Sequence, residues 1–421
     1  MKRVVITGLG FITSIGNRRD EVLRSLRERR TGVEPFAELD GPDQAVKLAG
    51  TVKGFGFPTP RFDDWTYPPE YELTREQLRP MAPNSLYAYC SMRQAIQAAG
   101  LTPDLISQPG TGVVCASGGS MWLAYESLQT LVTRGIRRCS PMSVVNSIPG
   151  SLYINLVSCF QIKGSAFGCS SACASSAHAL GLAYDQIGLG RQDIVFVVGA
   201  EDCNRFSILP FAAARALSEQ NDPERTPCAF DVHRDGFVGT GGAAVLVLEE
   251  LEHARRRGAA IGAEVLGWGQ AADGYQVLTP APDGDGLRRA MIQALREAQL
   301  QPEQVDYINA HATATPVGDV SECRAIHAVF GGGRMPRVSS TKSLTGHGLS
   351  LAGAMEAGFC VLALQEQFTP VSAHITELDP ACAIVPIVTQ PVPDQPRVAL
   401  SNSSGFGGTN VCVALRRWDH E

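Results

Sequence analysis

Three short segments, far apart in the chain, hold side chains that could serve one reaction. Gly168-Cys169-Ser170-Ser171-Ala172-Cys173-Ala174-Ser175-Ser176 offers a thiol. Asn309-Ala310-His311-Ala312-Thr313-Ala314-Thr315-Pro316 and Thr341-Lys342-Ser343-Leu344-Thr345-Gly346-His347-Gly348 offer an imidazole each. A cysteine nucleophile near two neutral imidazoles can accept an acyl group and then use it in a second step whose negative charge the imidazoles stabilise. A fourth segment, Ser403-Ser404-Gly405-Phe406-Gly407-Gly408-Thr409-Asn410, has the glycine density of a loop that brings backbone N–H groups to a reacting oxyanion.

These residues need elements to hold them. Cys173 precedes small, helix-compatible residues up to Leu189, which reads as a turn with the thiol at a helix start. There the helix dipole and unpaired N–H groups favour thiolate. In isolation the same residue would read as a buried small side chain, like Cys159 or Cys412. His311 follows a short strand and precedes a Thr-x-Thr-Pro turn, and a strand's C-terminal edge suits a site residue. His347 lies between two glycines, which permit close approach to a ligand.

Along the chain, short β-branched runs alternate with longer helical stretches. Strands are expected at 3–7, 112–115, 194–198 and 243–248, and helices at 85–99, 175–189 and 287–298. The second half repeats the theme, with strands at 305–309, 337–340, 397–401 and 411–415 and helices at 318–330 and 353–367. This is an α/β pattern with buried strands. Residues 54–71, rich in proline and aromatics, read as a surface excursion.

A length of 421 residues suggests two or three domains. Apolar content of 44% with 19% charged residues is that of a globular chain. A net charge of −6 gives no general affinity for nucleic acid or an anionic membrane. No apolar run reaches the roughly 20 residues that span a bilayer, and the start leads into strand-like Val4-Val5-Ile6 without a signal-peptide core. The 12 cysteines, mostly inside apolar stretches, point to buried thiols in a reducing cytoplasm.

Two motifs invite a function and then fail to support it. Gly8-Leu9-Gly10 after a strand imitates a dinucleotide fingerprint, but no third glycine follows at the required spacing. Cys169 and Cys173 could be a metal pair, but no second Cys/His pair sits nearby at zinc-site spacing.

Together the four segments resemble the β-ketoacyl-[acyl carrier protein] synthases, the condensing enzymes of fatty acid and polyketide synthesis. The resemblance runs from Met1-Lys2-Arg3-Val4-Val5-Ile6-Thr7-Gly8-Leu9-Gly10 to the last strand. It is closest to the elongating types I and II. Type I is favoured by Ser-Ser-Ala-Cys ending at Cys173, by Asp235-Gly236-Phe237-Val238 and by Val317-Gly318-Asp319-Val320.

The resemblance implies a duplicated thiolase fold with five layers, α-β-α-β-α. Its N-terminal half, 1–253, carries the nucleophile, and its C-terminal half, 254–421, carries both histidines. Cys173 takes an acyl chain from acyl carrier protein. His311 and His347, both neutral, hydrogen-bond the malonyl thioester and stabilise the enolate left by decarboxylation. Lys342 is a buried cation paired with Glu356. The Cys173 and Phe406 amides form the oxyanion hole, and the Phe406 ring gates the acyl pocket. Thr313 and Thr315 bind the phosphopantetheine arm, which arrives on the carrier protein, and Phe237 packs beside the site. The product is a β-ketoacyl chain two carbons longer, with no metal or redox cofactor required. The implied partners are acyl carrier protein and a second subunit, in a homodimer built on a strand at 165–169 or in a heterodimer with a related chain. An acidic carrier protein would dock on Arg75 and Arg79 or on Arg134, Arg137 and Arg138, unless these are simply solvated surface charge.

Three positions depart from the family pattern. Ala312 and Ala314 stand where glycine and serine are common, and alanine demands ordinary φ/ψ. Ser404 stands where a phenylalanine commonly precedes Gly405-Phe406, which changes the size or polarity of the pocket. A pathway-specific synthase of polyketides or polyenes is therefore an alternative to one of fatty acid synthesis. A chain-length-determining partner subunit is another, against which Cys173 argues. A thiolase would use a second cysteine, and an initiating synthase an asparagine in place of His347.

Overall fold

The computed structural model describes residues 1–41 and 44–419. The strands, in chain order, are β1 (Val4–Ile12), β2 (Val33–Pro35), β3 (Leu48–Gly50), β4 (Thr111–Ala116), β5 (Ala166–Cys169), β6 (Ile194–Glu201) and β7 (Gly242–Glu250), then β8 (Ala263–Ala272), β9 (Tyr307–Asn309), β10 (Arg337–Ser339), β11 (Val398–Gly405) and β12 (Thr409–Arg417). The longer helices are α1 (Arg19–Glu28), α2 (Pro83–Ala99), α3 (Met121–Arg134), α4 (Ser151–Phe160), α5 (Ser175–Gly188), α6 (Asp285–Glu297), α7 (Pro316–Phe330) and α8 (Ala352–Glu366).

Ten strands form one continuous sheet in the order β10-β9-β11-β12-β8-β1-β7-β6-β4-β5. It divides at β1 and β8, which meet over Val4↔Val265, Val5↔Glu264 and Ile6↔Ala263. On either side the arrangement is the same: numbering five strands within each half by sequence, both run 3-2-4-5-1. Strand directions also agree. The pairs β4–β5, β4–β6, β9–β10 and β9–β11 are parallel, whereas β6–β7, β1–β7, β11–β12 and β8–β12 are antiparallel. The duplication that identity between the halves does not reveal is explicit in topology.

Alternate residues of one strand enter different cores, as the period of two requires. Val195 and Val197 of β6 join Leu246 and Leu248 in a central core, while Phe196 and Val198 join Val245 and Val247 in an outer one. Val411 and Val413 of β12 reach the same central core, while Cys412 and Ala414 enter a third. One helical layer, α5 with α8, thus lies between the half-sheets, and α2 and α6 cover their outer faces. That gives five layers. Buried on both faces, β6 and β7 read as continuous apolar runs, 194–198 and 243–248, rather than alternating. Helix α8 is apolar on every side for the same reason. With its preceding turn it is long and apolar enough to cross a membrane by composition alone, yet it is 89% buried inside the protein.

The two central helices approach at their N-terminal ends. Gly353 makes this possible, because a Cβ there would lie 2.4 Å from the Ala177 amide nitrogen. Ser176 Oγ accepts a hydrogen bond from the Ala354 amide at 2.8 Å across the same contact. The start of α5 follows Cys173 and the start of α8 follows His347, so this close crossing brings the thiol segment to an imidazole segment.

Several expected features take a different form. Gly8 and Gly10 lie inside β1, not in a strand-to-helix turn. The 54–71 excursion is not only surface: Trp65 and Tyr71 are buried in the outer core, and Phe57 packs edge-on against both Trp65 and Tyr87. Strand β8, which joins the halves, was not among the expected elements.

Candidate active site

Three parallel strands end together on one edge. β9 pairs with β10 through Asn309↔Ser339 and with β11 through Asn309↔Ser401. Their C-terminal continuations carry His311, then Lys342 and His347, then Ser404–Phe406 by number. Cys173 reaches the same place from the end of β5. All four segments line one cavity of about 410 Å³ that contains Cys173, His311, His347, Phe237, Phe406, Thr313 and Thr315 among its walls.

The Cys173 turn is held under strain. Ala172 has φ +50°, in the left-handed region that costs a residue with a Cβ roughly 1–2 kcal/mol. Gly405 closes over it, since a Cβ there would lie 2.7 Å from the Ser171 carbonyl oxygen and 3.1 Å from the Cys173 amide nitrogen. This places the glycine loop of Phe406 directly against the thiol segment. Among the described residues, no acceptor takes the amide protons of Cys173 or Phe406. Both amides are therefore available to an oxyanion.

The imidazoles are close and fixed. The His311 and His347 ring centroids are 5.3 Å apart, with planes at 86°. His347 is pinned by its backbone: its amide donates to the Val238 carbonyl at 2.7 Å, and its carbonyl accepts from the Thr240 amide at 3.0 Å. The Phe237 ring stands edge-on to it at 5.0 Å, Phe211 packs on Phe237 at 5.5 Å, and Phe406 lies 5.9 Å from Phe211. An aromatic wall so links Phe406 to the His347 imidazole. Nδ1 of His311 and Nδ1 of His347 are buried without a hydrogen-bond partner among the described residues, which leaves Nε2 as the nitrogen able to meet a ligand.

Lys342 Nζ lies 2.5 Å from Glu356 Oε1, with both side chains sealed from water. Burial, reinforced by the Lys342 charge, holds His311 and His347 well below the ordinary histidine value, so both are neutral at pH 7. Burial pushes the Glu356 carboxyl up to about 7, against the attraction of Lys342. The Cys173 thiol differs from its sequence-based expectation. Burial pushes it up to about 12 despite the Lys342 charge, and this outweighs the pull of a helix start. The resting group is a thiol, which must lose its proton as it attacks.

Glu322 carries out a task not foreseen from the sequence. One carboxylate oxygen accepts from the His311 amide at 3.0 Å and the other from the Ala312 amide at 2.7 Å. Asn402 Nδ2 donates to the first oxygen at 3.0 Å. Glu322 is on α7 and buried with Cys323, Ala325 and Ile326, so a glutamate on the apolar face of a helix was the available signal. Asn410 and Asp273 were also missed. Ser404 Oγ donates to Asn410 Oδ1 at 2.7 Å, and Asn410 Nδ2 donates to Asp273 Oδ1 at 2.7 Å, along the cavity wall.

Ala314 departs from the expected ordinary backbone: its φ is +65°, and its carbonyl accepts from the Gly236 amide at 2.9 Å. Thr313 Oγ1 and Thr315 Oγ1 sit 3.3 Å apart beside it. The five arginines suggested for docking are not in the cavity wall. All five are exposed, and Arg75 lies 3.0 Å from Asp63. The cation that the cavity presents is Arg215, exposed at its rim with φ +52°.

Comparison with known proteins gives one answer. Residues 1–254 match the family described as beta-ketoacyl synthase, N-terminal domain, and residues 262–376 its C-terminal domain. The chain is 41% identical over 426 residues to the 3-oxoacyl-[acyl-carrier-protein] synthase 1 of Haemophilus influenzae, covering 100% of both. A crystal structure of a beta-ketoacyl synthase from Burkholderia phymatum superposes with a TM-score of 0.91 at 35% identity, covering 100% of both chains. A type II polyketide ketosynthase, AntDE, solved with its acyl carrier protein AntF, superposes with a TM-score of 0.87 at 28% identity, covering 99% of this chain and 100% of that one.

Proposed function

The chain belongs to the beta-ketoacyl synthase family, and from that membership we propose that it is an elongating condensing enzyme of fatty acid synthesis. It joins an acyl group on Cys173 to the two-carbon unit of malonyl-[acyl carrier protein]. The observation that carries this reading is the convergence of Cys173, His311 and His347 on one cavity. Identity of 41% to a 3-oxoacyl-[acyl-carrier-protein] synthase over the full length supports the fatty acid assignment.

In the first half-reaction Cys173 sulfur attacks the acyl thioester, and the thiol proton ends on the leaving pantetheine sulfur. The oxyanion meets the Cys173 and Phe406 amides, and the pantetheine thiol leaves. Malonyl thioester then occupies the cavity beside Thr313 and Thr315. Its bond to the carboxylate breaks, carbon dioxide leaves, and the electron pair enters the thioester as an enolate. The N–H groups of the two neutral imidazoles hold the enolate oxygen. The carbanion attacks acyl-Cys173, and the expelled thiolate takes up one proton from solvent, because the original thiol proton left with the pantetheine thiol. Burial and the Lys342 charge together keep the imidazoles neutral, and Glu356 keeps Lys342 buried at tolerable cost. The sequence is redox-neutral and creates its own carbanion, so no metal or redox cofactor is assigned.

Acyl carrier protein is the partner, and Arg215 at the cavity rim is a cation for the phosphate of its arm. Arg134, Arg137 and Arg138 remain the candidate dock. A homodimer is supported by β5, an edge strand that is only partly buried, and by exposed Tyr125, Leu128 and Val132 on α3. The twelve free thiols favour a cytoplasmic setting. The halves divide at 253/254. The second reading, a pathway-specific synthase, draws on Ser404 and its polar chain in the cavity wall.

Mass spectrometry with a panel of acyl- and malonyl-acyl carrier proteins, beside a Cys173→Ala control, tests the assignment. Acylation at Cys173 and two-carbon extension of ordinary saturated chains are expected. Acylation confined to polyenoyl or aromatic chains would move the protein to secondary metabolism. No acylation would overturn the reading for this subunit alone.

A further inference from the structure

One titratable side chain beside the thiol has no place in the mechanism above. His178 lies on α5, five residues beyond Cys173. Its Nδ1 is 2.8 Å from Ser171 Oγ and 3.3 Å from the Ala174 carbonyl oxygen. Its Nε2 is 2.9 Å from Gln270 Oε1. Gln270 is on β8, in the C-terminal half. The imidazole also stands edge-on to Trp268, centroids 6.0 Å apart. His178 therefore ties the thiol turn of one half to the sheet of the other.

Ser171 is a structurally loaded residue. Its carbonyl accepts from the Ala174 amide at 3.2 Å, and its own amide donates to Ser175 Oγ at 2.8 Å. Ser175 Oγ donates in turn to the Ala172 carbonyl at 2.6 Å. These bonds enclose left-handed Ala172, the residue that precedes the thiol. Strain of this kind persists only where the surroundings over-determine it. Among the described residues the other hydrogen bonds of 171–175 stay within the turn, reach Cys169 Sγ or enter the first turn of α5, and Gly405 packs over it, so His178 is the side chain that ties Ser171 by hydrogen bonds to the other half. A hydroxyl donates or accepts, so the Ser171 link holds with either imidazole tautomer.

We infer that His178 is a positioning residue for catalysis: through Ser171 it sets the direction of the Cys173 thiol and amide, and through Gln270 it references that direction to the half that carries the two imidazoles. This rests on Cys173 being the nucleophile, which acylation of the parent enzyme establishes separately.

The two ring nitrogens allow a discriminating test. An asparagine side chain reaches the place of Nδ1, and a glutamine side chain that of Nε2. Stopped-flow acyl transfer to Cys173 and steady-state condensation would be measured for His178→Ala, His178→Asn, His178→Gln and Ser171→Ala, with melting temperatures alongside. His178→Ala is expected to slow acyl transfer by about tenfold, with KM for malonyl-acyl carrier protein little changed, since a small misplacement of a reacting atom is costly. His178→Asn should recover most of the rate, His178→Gln should not, and Ser171→Ala should match His178→Ala. If His178→Ala fails to fold, the comparison of His178→Asn with His178→Gln decides alone. Parent-like acyl transfer in a folded His178→Ala, equal rates for the Asn and Gln variants, or a loss confined to KM would each overturn the assignment. Failure of the parent enzyme to acylate at Cys173 would instead refute the function.

Discussion

His311 and His347 meet edge to face, with ring centroids 5.3 Å apart and planes at 86°. Perpendicular rings approach one point from two directions, so two N–H groups can converge on one oxygen without the rings colliding. The arrangement serves an enolate only while both rings are neutral in the resting enzyme, since an imidazolium would bring its own hydration and counter-ion demands into a sealed site. Burial and the Lys342 cation enforce neutrality together.

The electrostatic part of that enforcement can be removed. Lys342→Met takes away a cation that lowers both imidazoles, so their pKa values rise toward 6.5. Activity needs the neutral rings, so the acid limb of the kcat/KM profile for condensation moves to higher pH. Profiles between pH 5 and 8 check this, and an unmoved acid limb would show that Lys342 exerts no control over the rings.

The two ends of the Lys342–Glu356 pair are not equivalent. Glu356 left alone can take a proton near pH 7, because burial already holds it at about 7. Glu356→Gln instead takes the carboxylate away from the Lys342 ammonium, 2.5 Å from it in a place sealed from water. Glu356→Gln should therefore destabilise by about 3–5 kcal/mol, the cost of breaking a buried pair, and Lys342→Met by clearly less. Urea denaturation of both variants at pH 7 gives the comparison. Equal losses, or the reverse order, would refute the asymmetry.

Cys173 should be slow to alkylate at neutral pH. With the thiol near 12, the thiolate fraction rises about tenfold per pH unit across the accessible range. Iodoacetamide labelling, read at the Cys173 peptide, is expected to accelerate from pH 6.5 to 9.5 without levelling. A plateau below pH 8 would mean that a histidine or the helix start holds a thiolate after all.

How far the sequence could lead is clear from individual residues. Cys173, His311 and His347 sit in motifs rich in glycine, proline and small residues, and their types and order were enough to expect them on the one cavity they line. Lys342 and Glu356 form the implied pair because β10 and α8 deliver them from either side of His347. Glu322 escaped notice because a helical glutamate ordinarily faces water, and only the burial of its neighbours distinguishes it. The repeated 3-2-4-5-1 order was illegible because topology is set by which strands share a core face, and many apolar sequences satisfy the same face. The thiol's state was misjudged for a related reason: a helix start can be seen in sequence, but the depth at which it is buried cannot.

Ala312 and Ala314 provide a paired test of backbone against packing. Both are buried, but Ala314 has φ +65° while Ala312 stays outside the left-handed region. Replacement by glycine removes a buried methyl at each, roughly 0.8 kcal/mol, and adds unfolded-chain entropy worth roughly 0.4–1 kcal/mol. Only at Ala314 does glycine also relieve a left-handed Cβ, recovering roughly 1–2 kcal/mol. The terms cancel there, so Ala314→Gly should be nearly neutral, while Ala312→Gly should cost about 1–2 kcal/mol by the same terms without the relief. Chemical denaturation of the two single variants distinguishes them. Equal destabilisation would mean that the Gly236–Ala314 hydrogen bond holds the backbone without strain, and that the left-handed turn is not what separates these two alanines.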